Sequence, residues 1–253
     1  MAIAKAVADP ERAYMKGKEN DPANDEAPTH KQITATPYSW RDPRTIPPRP
    51  WMLGRWALMG EVTTILAPGG TGKSTLGAGV GLSLATARAL LGQEVYDGPH
   101  AVWLLNLEDG IEELERQVGA ATIKHNIDRE ECGDRLFLDS GIVQPLCTAT
   151  ETRDGFTIDE PTFEHLGATI HQWRIRAVVV DPFISSHTVS EASNEAIDAI
   201  VKRWKRLAQE TGCAVVLVHH TKKLGGREAT AEDGRGAVAL RDASRVVLAL
   251  NPM

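Results

Sequence analysis

The sequence feature that most constrains the fold is a short apolar run that leads straight into a glycine cluster. Residues 62–67, Val-Thr-Thr-Ile-Leu-Ala, are rich in β-branched side chains and predict a buried strand. Three glycines follow within five residues, and a helical stretch then extends from Lys73 to about Leu91. A buried strand that turns through glycines into a helix is typical of α/β proteins.

The turn between this strand and helix matches a known phosphate-binding pattern. Residues 67–74 fit G-x-x-x-x-G-K-[ST], with Ala67 in place of the first glycine. Glycines let backbone N–H groups curl around phosphates, and the helix N-terminus adds positive potential. Lys73 is expected to reach the β- and γ-phosphates, and the Ser74 hydroxyl to ligate Mg²⁺. The predicted residues for binding ATP are Pro68, Gly69, Gly70, Thr71, Gly72, Lys73, Ser74 and Thr75. The alternative is a chance glycine-rich turn.

Strands and helices alternate through the rest of the chain. Further strands are predicted over residues 101–107, 135–138, 177–180, 213–218 and 246–250. Helices are predicted around residues 111–121, from Asp159 to Trp173, and from Ile197 to a stop at Gly212. Residues 145–158 predict an irregular hairpin. Strands that are apolar throughout and alternate with helices indicate a largely parallel sheet covered by helices on both faces.

The first 60 residues differ in character from the rest. Eight of the 14 prolines lie within residues 1–50. Residues 1–36 carry charges of both signs and few apolar side chains, which predicts a disordered arm. Residues 37–60 hold Trp40, Trp51 and Trp56, which favours a strap packed on the core over a free linker. The predicted organisation is therefore an arm (1–36), a strap (37–60) and a core domain (61–253).

Composition limits the class of protein. The net charge of −6 argues against a basic coat for duplex DNA, although a local basic groove stays open. The three cysteines lack the spacing of a disulfide scaffold or a cysteine zinc site, which fits a reducing cytosol. The sequence shows neither a transmembrane stretch nor the apolar core of a signal peptide. We expect a cytoplasmic protein with no membrane partner.

Two acidic residues follow predicted strands at the edge where ligands bind in parallel sheets. Asp181 comes directly after residues 177–180 and is expected to hold Mg²⁺. Glu108 follows residues 101–107 and is expected to orient the attacking water. Asp109 is the alternative base, and also the better candidate for the N-cap of the next helix. A structural role as caps is the other interpretation of these carboxylates.

Two further groups of polar residues lie at the end of the fifth predicted strand and after it. His219 and His220 end that strand, where they are expected to contact a γ-phosphate; a zinc site and a purely structural role are the alternatives. Residues 221–245 are too rich in glycine and charge to be helical throughout, and they form a candidate loop for a nucleic-acid backbone. Arg235 or Arg245 is a candidate arginine finger for a neighbouring subunit. Acidic residues in this segment, and its lack of aromatic residues, favour a solvated loop instead.

With these motifs in this order, the chain resembles the RecA/DnaB/KaiC class of P-loop ATPases. Within that class it is most similar to the RepA-type hexameric replicative helicases of plasmids, and to related AAA ATPases of phages and mobile elements. The resemblance covers about residues 47–251. It rests on the phosphate loop, residues 107–109, Val180-Asp181, residues 211–213 with the histidine pair, and Arg235-Gly236 followed by Asp242 and Arg245. Members of the family usually continue beyond the last predicted strand, so a truncated or minimal core is expected.

The resemblance implies a RecA-like fold and ATP hydrolysis at the subunit interfaces of a ring, typically a hexamer. Glu108 corresponds to the catalytic base, Asp181 to the acid that organises Mg²⁺, the histidine pair to a sensor, and Arg235 to the arginine that acts in trans. Loops after Asp181 and after His220 would face the channel and bind single-stranded DNA. The expected function is that of a helicase or translocase in DNA replication. An ATP-driven regulator of protein partners is the main alternative, and a small-molecule kinase is a weaker one.

Overall fold

The computed structural model of the chain describes residues 34–68, 72–220 and 237–251. Most of the arm predicted over residues 1–36 lies outside these ranges. The chain divides into two compact units, residues 1–47 and residues 48–253. In the described part of the first unit, Asp42 caps a 3-10 turn, Pro43–Thr45. In the same unit, Tyr38 and Trp40 meet edge-to-face with ring centroids 6.3 Å apart, and the packing of the strap on the core stays a prediction.

The second unit contains strands and helices in alternation. The strands are β1 (Trp51–Leu53), β2 (Ala57–Leu58), β3 (Val62–Ala67), β4 (Val102–Asn106), β5 (Leu136–Ser140), β6 (Ala149–Thr152), β7 (Gly155–Ile158), β8 (Ala177–Asp181), β9 (Ala214–His220) and β10 (Val246–Ala249). The helices are α1 (Lys73–Thr86), α2 (Ile111–His125), α3 (Arg129–Cys132), α4 (Glu160–Trp173), α5 (Asn194–Thr211) and α6 (Ala237–Ala243). None of the helices within the described ranges is both long and apolar enough to span a bilayer.

Six strands form one parallel sheet in the order β10-β3-β9-β8-β4-β5. The predicted hairpin is present as the antiparallel pair β6–β7, and β1 and β2 form a second small pair. The central strands β3, β4 and β8 are buried along their whole length, as strands covered on both faces must be. The fold is a RecA-like α/β core, as predicted.

Two different helical layers cover the sheet. On one face, α4 and α5 pack a large core in which Trp204 meets Phe163 edge-to-face, with ring centroids 5.2 Å apart. On the other face, α1 packs its Val80 and Leu84 against alternate residues of the same strands. Gly81 of α1 lies so close to the sheet that a Cβ there would be 3.0 Å from two leucine methyl groups. The parallel sheet is therefore buried on both faces.

Three local features differ from the sequence prediction. Helix α1 ends at Thr86 rather than near Leu91, because Ala87 adopts a left-handed conformation with φ of 58°. Leu91 then folds back and packs beside Gly79. Trp173 follows Leu166 and Ile170 at helical spacing, which predicts a place on the same face of α4, but it is 53% exposed and contacts the ring of Phe137. The short helix α3 was not predicted.

Candidate functional site

The phosphate-loop segment has the predicted strand-to-helix frame. Strand β3 ends at the buried Ala67, and α1 begins with Lys73 and Ser74. Gly72, directly before α1, has φ of 80°, a left-handed conformation that glycine adopts readily. Its carbonyl accepts the N–H of Leu76 at 2.9 Å and so starts the helix. Residues 69–71 lie outside the described ranges, and the ATP contacts of residues 68–75 stay a prediction.

The ends of β4 and β8 meet beside α1. Asn106, the last residue of β4, pairs with Asp181, the last residue of β8, and both are buried. Gly77 and Ala78 of α1 line a cavity of about 30 Å³ together with these two residues. A cavity of this size has room for one or two water molecules. The second turn of α1 and the acidic end of β8 therefore line one cavity.

Asp181 has the chemistry that Mg²⁺ requires. Its side chain supplies a carboxylate at the carboxyl edge of the sheet, and the residue is 7% exposed. Magnesium in nucleotide sites is held by one or two protein oxygens, and the substrate phosphates and waters complete its shell. Within the described ranges, no group of three or more His, Cys, Asp or Glu could hold a metal alone. The Asp181 carboxylate therefore fits one protein ligand of a magnesium ion that nucleotide phosphates also bind.

Glu108 lies in the turn after β4, with its side chain exposed. The turn is held by Asn106, whose Oδ1 accepts the backbone N–H of Glu108 at 3.0 Å and of Asp109 at 2.7 Å. Asn106 Nδ2 also donates to the Asp109 carboxylate at 3.2 Å. Ser185 Oγ, from the turn after β8, donates to Glu108 Oε1 at 3.2 Å. Asp109 is thus engaged in the turn, whereas Glu108 faces solvent at the site.

The end of β5 fixes the same turn from its other side. Ser140 Oγ donates to the backbone carbonyl of Asp109 at 2.6 Å. Gly141 donates its N–H to the carbonyl of Asn106 at 2.7 Å. A Cβ on Gly141 would lie 2.8 Å from Leu107 Cα, so this close approach requires glycine. Three strand ends therefore converge on residues 106–109.

Asn106, Ser140 and Ser185 were missed by the sequence analysis. For Asn106 a signal existed, because it is the one polar residue in the otherwise apolar strand β4. Its position opposite Asp181 depends on the pairing register, which the sequence does not show. For Ser140 and Ser185 the sequence gave no comparable signal, since their partners lie far away along the chain.

The histidine pair lies next to the strand that carries the phosphate loop. His219 pairs with Leu66, and His220 pairs with Ala67, the last residue of β3. His219 is buried, and its Nε2 lies 3.9 Å from Glu191 Oε1. The position fits contact with a γ-phosphate, and the role as a sensor stays a prediction.

A second buried histidine, His187, lies close to His219, and the sequence analysis did not predict it. Its ring packs on Phe183 with centroids 4.9 Å apart. Burial lowers the pKa of His187 from 6.5 to about 4; the Val189 backbone opposes this shift, and the nearby His219 adds to it. His187 is therefore neutral at pH 7.

The candidate arginine fingers are placed unequally. Arg235 lies outside the described ranges. Arg245 is exposed, and its backbone N–H donates to the carbonyl of Val62 at 2.8 Å, at the start of β3. This is the amino edge of the sheet, opposite the edge that carries the phosphate loop. Within one chain, Arg245 is thus remote from the site.

Comparison with known families agrees with this geometry. A family model described as an AAA domain matches residues 27–226, which is most of the chain. The chain belongs to this AAA domain family. Membership of this family indicates a P-loop ATPase that binds nucleotide, but it gives no support for a RepA-type helicase in particular. No curated protein matches the chain.

Proposed function

We propose that this AAA domain protein hydrolyses Mg²⁺-ATP at the carboxyl edge of its sheet and acts as a ring-forming motor on single-stranded DNA. The observation that carries the hydrolysis is the convergence of three elements at one edge. These are the N-terminal half of α1, the buried Asp181 that ends β8, and the exposed Glu108 in the turn after β4. Asp181 ends β8, and Glu108 follows the neighbouring strand β4 by two residues.

Each residue has a separate task in this proposal. The phosphate loop and Lys73 bind the β- and γ-phosphates, and Ser74 with Asp181 holds Mg²⁺. The ion neutralises charge that develops on the phosphates. Glu108 orients the water for in-line attack, because its side chain is exposed, whereas Asp109 is half-buried and held in the turn by Asn106. The histidine pair senses the γ-phosphate.

The proposals of ring assembly and of single-stranded DNA as the partner rest on the family resemblance. In a ring of six copies, the pattern of that family, Arg235 or Arg245 of a neighbouring copy completes the site. The segments after Asp181 and His220 face the channel and contact single-stranded DNA. Such a motor would serve the replication of a plasmid, phage or other mobile element as a translocase or helicase.

The first test is the rate of ATP hydrolysis with and without single-stranded DNA. Lys73→Ala serves as the blank, and Lys202→Ala as the control, because Lys202 is an exposed lysine of α5 that pairs with Asp198. We expect Mg²⁺-dependent turnover that DNA stimulates, lost in Lys73→Ala and kept in Lys202→Ala. Full turnover in Lys73→Ala would refute the site. DNA-independent turnover would refute the motor on DNA.

A second function is favoured by one observation. The net charge of −6 suits an ATP-driven regulator that binds protein better than it suits a DNA motor. Binding to single-stranded DNA measured over a range of salt concentrations separates the two functions. Contacts to DNA phosphates weaken steeply as salt rises, because counterions are released on binding. The regulator predicts no such salt-dependent binding.

A further inference from the structure

We infer that Ser185 is a positioning residue that holds the Glu108 carboxylate for water attack and ties it to the segment after Asp181. The inference deepens the proposed function, and it rests on Glu108 acting as the base. The key observation is the hydrogen bond from Ser185 Oγ to Glu108 Oε1 at 3.2 Å. It joins two residues that are 77 positions apart in the chain.

Glu108 needs such a partner because little else restrains its side chain. The residue is exposed, in a turn whose backbone Asn106 holds. Within the described ranges, Ser185 is the only side chain that donates a hydrogen bond to this carboxylate. Without that bond, the carboxylate can move between several rotamers of similar energy. The Ser185 hydroxyl therefore selects one orientation among them.

The backbone around Ser185 is anchored by buried neighbours. It belongs to a 3-10 turn, Phe183–Ser186, in which Phe183 and Ser186 are fully buried. Ser186 Oγ donates to the carbonyl of Phe183 at 2.7 Å, and Thr148 donates to the carbonyl of Ser186 through both its N–H and its hydroxyl. The Ser185 side chain alone is left exposed, pointing to Glu108. An exposed hydroxyl between buried anchors is well placed to orient a mobile carboxylate.

The bond leaves Glu108 able to act. Ser185 donates to one carboxylate oxygen, Oε1, and the second oxygen stays available to accept a hydrogen bond from water. Orientation of this kind affects the chemical step rather than the binding of ATP. Loss of one hydrogen bond of ordinary strength then corresponds to about a threefold to tenfold fall in kcat. The turn also directly follows Asp181, so a ligand that contacts it would alter the orientation of Glu108.

The experiment compares Ser185→Ala with Ser185→Thr, which keeps the hydroxyl. Ser39→Ala is the matched control, since Ser39 is an exposed serine of the first unit, outside the segments assigned to nucleotide or DNA. We expect Ser185→Ala to lower kcat about threefold to tenfold with the KM for ATP unchanged. Ser185→Thr should keep most of the wild-type kcat, and Ser39→Ala should equal wild type. An unchanged kcat in Ser185→Ala, or a fall that Thr does not rescue, would overturn the inference.

A double-mutant cycle with Glu108→Gln, measured by single-turnover hydrolysis, separates this inference from the proposed function. If Ser185 acts through Glu108, Ser185→Ala adds no further loss in the Glu108→Gln background. An equal loss in both backgrounds shows that Ser185 acts by another route, and the inference fails while the proposed function stands. Wild-type turnover in Glu108→Gln itself refutes the assignment of the base, and the proposed mechanism fails with it.

Discussion

Neighbouring strands β4 and β8 both lead to an acidic residue, but they present it in opposite ways. Asp181 is itself the last residue of β8 and is buried. Glu108 comes two residues after the end of β4 and is exposed, and its carboxylate accepts a hydrogen bond from Ser185 of another segment. The strand backbone fixes the position of the first acid, whereas the second depends on bonds that can be broken singly. A metal ligand suits the first arrangement, and a base that must meet a mobile water suits the second.

The largest expected effect is on ATP turnover, and it differs in kind between substitutions of Glu108 and of Asp181. Glu108→Gln should lower kcat at least about 100-fold with nucleotide binding retained, because only general-base catalysis is lost. Asp181→Asn should raise the Mg²⁺ concentration for half-maximal turnover by about tenfold or more. Steady-state turnover against Mg²⁺ concentration measures both. Identical signatures for the two variants would contradict the division of roles.

Low pH should lower the free energy of unfolding through His187, which follows β8 in the chain. The pKa of His187 is about 4 in the folded protein, below its ordinary 6.5, because burial disfavours the charged ring. The unfolded chain therefore binds more protons between these values, and folding stability falls by up to about 3 kcal/mol as pH drops from 6.5 to 4. Urea unfolding at several pH values should show this slope in wild type and a shallower one in His187→Leu. Equal slopes would rule out His187 as the cause.

The β4 side should depend on the Asn106 amide. Asn106→Ala leaves the backbone N–H groups of Glu108 and Asp109 without the acceptor that both share, which costs about 2 kcal/mol of unfolding free energy. Gln144→Ala is the control, since it removes an exposed amide that bonds to Asp139. Chemical denaturation of both variants measures the difference. A loss in Asn106→Ala no larger than in Gln144→Ala would show that the turn holds without the amide.

A smaller effect should follow from crowding the turn after β4. In Gly141→Ala the added methyl group would lie 2.8 Å from Leu107 Cα, so the backbone before Glu108 must shift. We expect kcat to fall about tenfold, since catalysis is sensitive to small displacements of a positioned group. Gly119→Ala in α2 has no atom within 4 Å of the new Cβ and should keep full turnover. A normal kcat in Gly141→Ala would mean that Glu108 tolerates displacement.

How far the fold could be predicted is clear from two helices. Helix α5 was predicted with its stop at Gly212, because it has one buried face and one solvated face and ends in a left-handed glycine. Helix α1 is apolar and glycine-rich nearly all round, so no stripe of polar residues marked its end at Thr86. The period of the hydrophobic pattern identifies helices that have a solvated side. It does not mark the ends of helices that are buried on nearly all sides.

The candidate site divides in a similar way. Asp181 and Glu108 were predicted at the carboxyl edge because each follows an apolar run that could only be a buried strand. The residues that orient them were not predicted. Ser185 and Ser140 reach this edge through the pairing of strands from distant parts of the chain. The low pKa of His187 likewise depends on burial by residues that the sequence does not place beside it.

The position of Arg245 has a consequence for how copies of the chain would combine. It lies at the start of β3, and the phosphate loop begins six strand residues away, roughly 20 Å along the sheet. An Arg245 that contacts nucleotide must therefore belong to another copy, whose amino edge faces this carboxyl edge. Such head-to-tail contacts close into a ring or grow as an open array. An open array always leaves one terminal site incomplete, so activity per subunit would rise with array length and reach its full value only on closure.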